Sequence, residues 1–377
     1  MKICSAQVFP ICLRLRKTVS NAQADMTVRE GTLLRLATDS DLVGWGEASP
    51  YPGFGLESMT VARSALCQAA NALVGLEVGP GEDWAKLVRD ATRRSATAHA
   101  GAETAMLDIL ARAEGVPLSE FLAPGSTSVR DSLSCNALVV GQDLQDLADS
   151  AQASWSQGFR TFKLKVGIFD LEVELARLAC LRGIVGPNAS IRLDANQAYE
   201  PQTALRALDG FAVHGIEYLE QPLAVDAIES MCGLREKSPI LLAADESATT
   251  EAGAKRVIER GAADVIVIKP SAVGGPLAAL RVASAATRAG LKVVVTSLLD
   301  SAIGVTAACE TAAAIAEEID LPACGLATAG LFERDVIETR PVIGGEWILG
   351  REPGLGIDLP LDDVRGLLSS PILEIAS

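Results

Sequence analysis

The feature that most limits what this chain can fold into is a set of charged residues recurring at a steady interval between residues 161 and 270. Lys163 and Lys165 stand in TFKLKVG, Asp194 in IRLDAN, Glu220 in IEYLEQP, Asp245 in LLAADES and Lys269 in DVIVIKP. Each interrupts or follows a short apolar run. From Lys165 to Asp194, Glu220, Asp245 and Lys269 the steps are 29, 26, 25 and 24 residues, somewhat under the ~30 residues of a strand–helix–strand unit. Parallel strands covered on both faces read as continuous apolar runs, so a charge at the end of each run needs a use. In a (β/α) barrel those C-terminal strand ends form the mouth of the active site.

The surrounding pattern agrees. Apolar runs predict strands at 132–140, 161–166, 190–194, 216–220, 240–245, 264–268 and 292–296, with a weak eighth at 324–331. Helical stretches alternate with them at 143–157, 170–184, 201–213, 224–236, 250–260, 275–289 and 302–318. Eight strands with helices between them make a barrel. The alternative, a doubly wound open sheet, finds no G-x-G-x-x-G after any strand. Upstream, residues 2–16 and 29–48 alternate apolar and polar side chains as three antiparallel strands do. Residues 17–26 and 51–55 read as loops, and helical periodicity covers 57–76, 83–90 and 97–114. The expected division is an α+β domain over 1–124, a barrel over 125–340 and a tail over 341–377, which contains the strand-like VIGGEWILG and packs back on the first domain. A chain of 377 residues suits that pairing.

Composition narrows the function. A net charge of −15 argues against nucleic acid or an anionic membrane surface as partner. The N-terminus carries no apolar stretch of signal-peptide form, and no run has the length of a spanning helix. The eight cysteines are scattered without a CxxC and read as reduced thiols of a cytoplasmic protein. The two histidines, His99 in a helix-like stretch and His214 just ahead of a strand, read as structural. Ser–His–Asp catalysis, zinc sites built on histidine and a histidine base are thereby disfavoured.

Asp194, Glu220 and Asp245 end three successive strands, and three converging carboxylates resist ionisation together. A divalent cation resolves that conflict. Oxygen donors without His or Cys favour a hard ion, Mg²⁺ first, with Mn²⁺ as a substitute. Solvated acids paired with surface lysines are the alternative, but they leave the apolar runs ahead of the acids unexplained. Lys163 and Lys165, two apart on one strand, point to one face. Close to each other and to a metal, their pKa values are expected to fall toward neutrality, as a lysine base requires. Lys269 ends the sixth strand, opposite the second. The chemistry that fits is removal of the proton α to a carboxylate, with the enediolate held by metal and ammonium. A metal-free Schiff-base lyase, with a barrel lysine attacking a carbonyl, is the reading from another class; it leaves the three acids without a role.

Taken together, KLK (163–165), LDAN (193–196), EQPL (220–223), ADES (244–247) and VIKP (267–270) resemble the motif set of the enolase superfamily, muconate-lactonizing-enzyme subgroup. GWGEASP (44–50) and ETAMLDILAR (103–112) resemble its capping domain and barrel entry. The resemblance implies a (β/α)7β barrel with an α+β cap completed by the C-terminal tail, Mg²⁺ on Asp194, Glu220 and Asp245, and a small carboxylate substrate. It also implies acid/base roles for Lys165 and Lys269 and an electrostatic role for Lys163. Asn196 and Glu246 fall beside the ligands, and the loops at 17–26 and 51–55 close over substrate. Assembly into a homo-oligomer is left open.

Within the family, residues 265–276, 294–308 and 324–330 are most similar to the o-succinylbenzoate synthases of menaquinone biosynthesis. That similarity puts Ser297 and Ser301 near the distal part of the substrate. Dipeptide epimerases carry Asp-x-Asp at the last strand, where this chain has Gly325, Leu326, Ala327 and Thr328. Asp300 stands where many cycloisomerases have Glu. N-acylamino acid racemases share all five motifs, so racemization stays open as the alternative to dehydration, with dipeptide epimerization and muconate-type cycloisomerization on the same metal and lysine site.

Overall fold

The computed structural model describes residues 1–20, 25–78, 83–125, 129–315 and 319–376. Strands β1 (Ile3–Ser20), β2 (Asp25–Thr38) and β3 (Val43–Ala48) form an antiparallel meander. Their alternation puts Val8, Leu34, Leu36 and Ala48 on one face, against the helices Met59–Leu73 and Ala96–Glu114. The strands run further than their side-chain period suggests. Val19 pairs with Met26 and Ser20 with Asp25, so much of the expected loop at 17–26 is a continued hairpin. Ladder hydrogen bonds use the backbone and need no apolar period. Residues 21–24 lie outside the described set.

The GWGEA run explains itself in packing. A methyl on Gly46 would stand 1.8 Å from the Gly101 carbonyl oxygen, and one on Gly44 2.1 Å from that of Ala105. The strand therefore lies backbone to backbone on the helix Ala96–Glu114. Gly46→Ala is expected to destabilise the protein by about 3 kcal/mol, the upper range for overpacking a closed core. A fall in the urea midpoint of the purified variant checks it.

The second unit begins with β4 (Ser132–Ser134) and β5 (Asn136–Val139). Then come β6 (Thr161–Lys165), β7 (Ser190–Asp194), β8 (Ile216–Glu220), β9 (Leu241–Ala244), β10 (Val265–Ile268) and β11 (Lys292–Val295). β5 to β11 are parallel and lie side by side in chain order, with helices between them. The eighth strand shrinks to Cys324 and Gly325. Cys324 bridges Cys135 at one edge of the sheet and Gly325 bridges Thr296 at the other, which closes the barrel. A Cβ on Gly325 would meet Thr296 at 2.7 Å.

The tail divides. β12 (Val342–Ile343) and β13 (Glu346–Ile348) form a hairpin that pairs with β4, and Trp347, 2% exposed, joins the barrel core. This stretch of the tail thus packs on the barrel, while Leu355, Ile357, Leu359 and Val364 further on pack with Phe9, Ile11 and Leu13 of the first unit. β14 (Leu373–Ala376) does reach the cap and pairs with β1 at the edge of its sheet. All eight cysteines are free thiols. Among the described residues no helix is long and apolar enough to cross a membrane.

Candidate active site

Register brings the charges together. Lys165 pairs with Asp194 and Asp194 with Glu220 across β6, β7 and β8, while Asp245 follows the end of β9. Asp194, Glu220 and Asp245 are at most 2% exposed, and each offers an oxygen within 4.8 Å of the others. Lys163 reaches Asp194 at 2.8 Å and Glu220 at 2.7 Å. Lys165 Nζ donates to Asp194 Oδ2 at 2.7 Å and to Asn196 Oδ1 at 2.6 Å. Across the mouth, Lys269 pairs with Asp245, and its ammonium lies 4.5 Å from the centre of the Phe54 ring, which the cap supplies.

The electrostatics differ from expectation at Lys163. Burial favours the neutral amine, but the carboxylates of Asp194 and Glu220 outweigh it and hold the ammonium well above its ordinary pKa. Lys163 is thus a fixed positive charge, because the acids around it outnumber the neighbouring ammonium. Asp194 feels burial too, yet Lys163 and Lys165 hold it well below the usual carboxylate range. Glu220 has the poorer share: burial and the charge on Asp194 push it up to about 8. Burial likewise raises Asp245, against the pull of Lys269.

Asn196 and Glu246 are buried next to these groups and bonded to each other at 3.0 Å. Ser297 lines the cavity and shares a 2.8 Å hydrogen bond with Thr328. Ser301 does not join it. It is fully buried, caps the helix Ala302–Ala313 and donates to Glu47 at 2.5 Å. Its spacing from β11 makes it a helix cap, which is the ordinary use of a serine there. Neither histidine lines the cavity.

The cavity holds about 110 Å³. Lys163, Lys165, Asp194, Asp245 and Lys269 form its charged floor. Tyr51, Phe54, Leu138, Leu298 and Leu299 form apolar walls, with Gly325, Ala327 and Thr328 on the far side.

This constellation has relatives. The profile of the enolase C-terminal domain-like family matches residues 146–364, and that of the mandelate racemase/muconate lactonizing enzyme N-terminal domain matches residues 8–123. The chain belongs to the mandelate racemase/muconate lactonizing enzyme group of the enolase superfamily. Two enzymes of this group show how far the similarity runs. The L-Ala-D/L-Glu epimerase of Bacillus subtilis is 30% identical over 95% of this chain and 97% of its own. The o-succinylbenzoate synthase of Thermobifida fusca is 33% identical over 83% and 78%. Among solved structures, the dipeptide epimerase from Enterococcus faecalis V583, complexed with Mg and the dipeptide L-Leu-L-Tyr, superposes with a TM-score of 0.86 at 26% identity, covering 94% of this chain and 99% of that one.

For this enolase-superfamily chain the donors themselves test the fit of a cation. Glu220 Oε2 and Asp245 Oδ2 are buried oxygens with no hydrogen-bond partner, a costly state for a carboxylate. All three groups are oxygen donors and neither His nor Cys belongs to the cluster. Buried, unpartnered carboxylate oxygens facing one point suit Mg²⁺.

Some residues that shape the site were not singled out in the sequence. Gln221, beside a metal-site acid in EQPL, accepts from the amides of Asp245 and Ser247, both at 3.1 Å. It ties the β8 loop to the β9 loop, and its φ of 37° is left-handed. Arg192, 1% exposed, pairs with Glu217 and reaches Asn136 at 3.3 Å beneath the floor. A readable signal existed for Arg192: it is a charge inside an apolar strand, two residues before Asp194 and therefore on the same face.

Proposed function

We propose that this protein is a Mg²⁺-dependent enzyme that dehydrates 2-succinyl-6-hydroxy-2,4-cyclohexadiene-1-carboxylate to o-succinylbenzoate. The observation that carries this reading is the pairing of Lys165 and Lys269 on two sides of one acid triad, in a cavity whose far wall bears no acid. Asp194 and Asp245 are the only carboxylates among the described lining residues, and both belong to the proposed metal set. A free ammonium group, as in a dipeptide, finds no counterion at Gly325, Ala327 and Thr328. A cyclic, uncharged ring finds apolar walls.

Asp194, Glu220 and Asp245 would hold Mg²⁺, which would supply Lewis-acid stabilisation to a substrate carboxylate. Lys165 does the proton transfer. Its Nζ is fixed by donating to Asp194 and Asn196, which orients it toward the α-proton it takes. The C–H electrons move into the carboxylate to give the enediolate, and the Lys269 ammonium holds the developing negative charge from the other side. The enediolate electrons then return, the C–O bond to the β-hydroxyl breaks, and Lys165 gives its proton to the leaving oxygen as water. Lys163 stays cationic throughout and keeps Asp194 ionised.

N-acylamino acid racemization is the second reading. Two lysines flanking one α-carbon can remove a proton from one face and return it to the other. One experiment separates these: absorbance-monitored dehydration with Mg²⁺ and with EDTA, beside α-proton exchange of N-succinyl amino acids in D₂O. Fast, metal-dependent dehydration is expected. Exchange without dehydration moves the substrate to N-acyl amino acids. Turnover that survives EDTA and is trapped by borohydride overturns the metal site in favour of a Schiff base.

A further inference from the structure

The cap contributes one side chain that neither the metal site nor the proton transfers use. Arg29, on β2, is 5% exposed. A guanidinium has five N–H donors, and here each meets a backbone carbonyl. Nε donates to Leu299 at 3.2 Å. One terminal nitrogen donates to Pro50 at 2.7 Å and to Glu30 at 3.4 Å. The other donates to Leu298 at 3.2 Å and to Ser49. No carboxylate touches it among the described ion pairs. Burial lowers its pKa, while the charges of Asp300 and Glu47 oppose that from a distance.

Glu30 is on β2 itself, and the other four acceptors belong to two loops. Ser49 and Pro50 lead from the cap into Tyr51 and Phe54. Leu298 and Leu299 follow β11 in the barrel. Tyr51, Phe54, Leu298 and Leu299 all line the cavity. Tyr51 stacks edge-on against Phe54 at 5.2 Å, and Phe54 covers the Lys269 ammonium. Leu299 has a φ of 56°, a left-handed conformation a leucine holds only when its surroundings impose it. A second tie reinforces the first: Glu47 accepts from the amides of Ser301 and Gly304 at 3.0 Å each. A Cβ on Gly304 would stand 2.5 Å from Asp300 and 3.0 Å from Glu47, so only glycine admits this approach.

We infer that Arg29 is a positioning residue for substrate selection, a clasp that locks the cap loop 49–54 to the barrel loop 297–301 and so sets the apolar walls of the cavity. Substrate side-group size is then read by a wall that exists only while both loops are held. The inference rests on the reading of this cavity as the substrate site. It does not depend on which carboxylate enters.

The test uses Arg29→Met, which keeps an unbranched stem, and Arg29→Lys, which keeps the charge but cannot bridge both loops. Hydrogen–deuterium exchange of the Mg²⁺-loaded protein is expected to speed up in segments 47–56 and 296–304 and to stay unchanged in β7. With the active substrate, kcat/KM is expected to fall about 100-fold, the scale of a misplaced binding wall, mostly through KM, with Mg²⁺ affinity by calorimetry unchanged. The preference between the dehydration substrate and N-succinyl amino acids should narrow in both variants. Exchange that rises throughout the chain makes Arg29 an ordinary core residue and overturns the clasp. So does an Arg29→Lys protein that behaves as wild type, since a point charge would then suffice. If wild type turns over none of the substrates, the proposed reaction fails while the exchange comparison still decides the clasp.

Discussion

Lys165→Ala is expected to lose about 10⁴-fold in kcat, the upper range for a positioned general base, while binding Mg²⁺ as wild type does. Three observations set this size. Lys165 ends its strand in the cavity, two acceptors fix its amine, and its neighbour Lys163 is too tightly held by Asp194 and Glu220 to replace it. Lys269→Ala is expected to lose less, about 10²- to 10³-fold, as when one donor to a developing oxyanion is removed. The two variants also differ in kind. Exchange of the substrate α-proton with D₂O should vanish in Lys165→Ala and persist, slowed, in Lys269→Ala. Full turnover by either variant, with circular dichroism unchanged, removes the assignment of that lysine.

In protein stripped of metal with EDTA, stability is expected to fall as pH rises from about 5 to about 9, and Glu220→Gln is expected to remove most of that fall. The Glu220 carboxyl is pushed up to about 8 by burial and by Asp194. Folded protein therefore holds a proton there that the unfolded chain has released. The stabilisation is full below the ordinary glutamate pKa and is lost as pH passes the raised value. Each unit of displacement weighs about 1.4 kcal/mol, so the change is on the order of a few kcal/mol. Asp245 is raised and acts in the same direction. Asp194 is lowered, so its contribution changes only in acid, below this window. Mg²⁺ binding needs the ionised carboxylates and should reverse the slope. Urea midpoints of wild type and variant at three pH values test this. A flat wild-type profile, or parallel profiles, would mean the acids are not crowded as the structure places them. Glu220→Gln should be inactive at every pH.

Much of the site was readable because its charges interrupt apolar strands. Lys163, Lys165, Asp194, Glu220, Asp245 and Lys269 are visible as exceptions to a strong rule, and period-2 geometry predicts their common face. The enolase-superfamily fold was readable for the same reason, since alternating strand and helix runs leave few topologies. What failed to show had no such contrast. The eighth strand, expected over 324–331, pairs only through Cys324 and Gly325, so its extent was not readable. The 17–26 hairpin is polar and lacks a period. Ser301 was placed near substrate by family similarity alone, which cannot distinguish a serine facing the cavity from one capping the next helix. The pKa of Lys163 went up where a falling value was expected, because the balance depends on how many carboxylates surround it and at what distance.

By itself, then, the sequence determined the barrel, the order of its strands, the identity of the triad and the presence of two opposed lysines. Each of these follows from local period and from the penalty on charge in an apolar run. The tertiary structure alone decided which charges are outnumbered by their neighbours, where Trp347 is buried, and that Arg29 from the cap closes on carbonyls 270 and 20 positions away in the chain. Those are sums over groups distant in sequence. Coulomb energy and hydrogen-bond geometry depend on separation in space, which no local pattern of residues encodes.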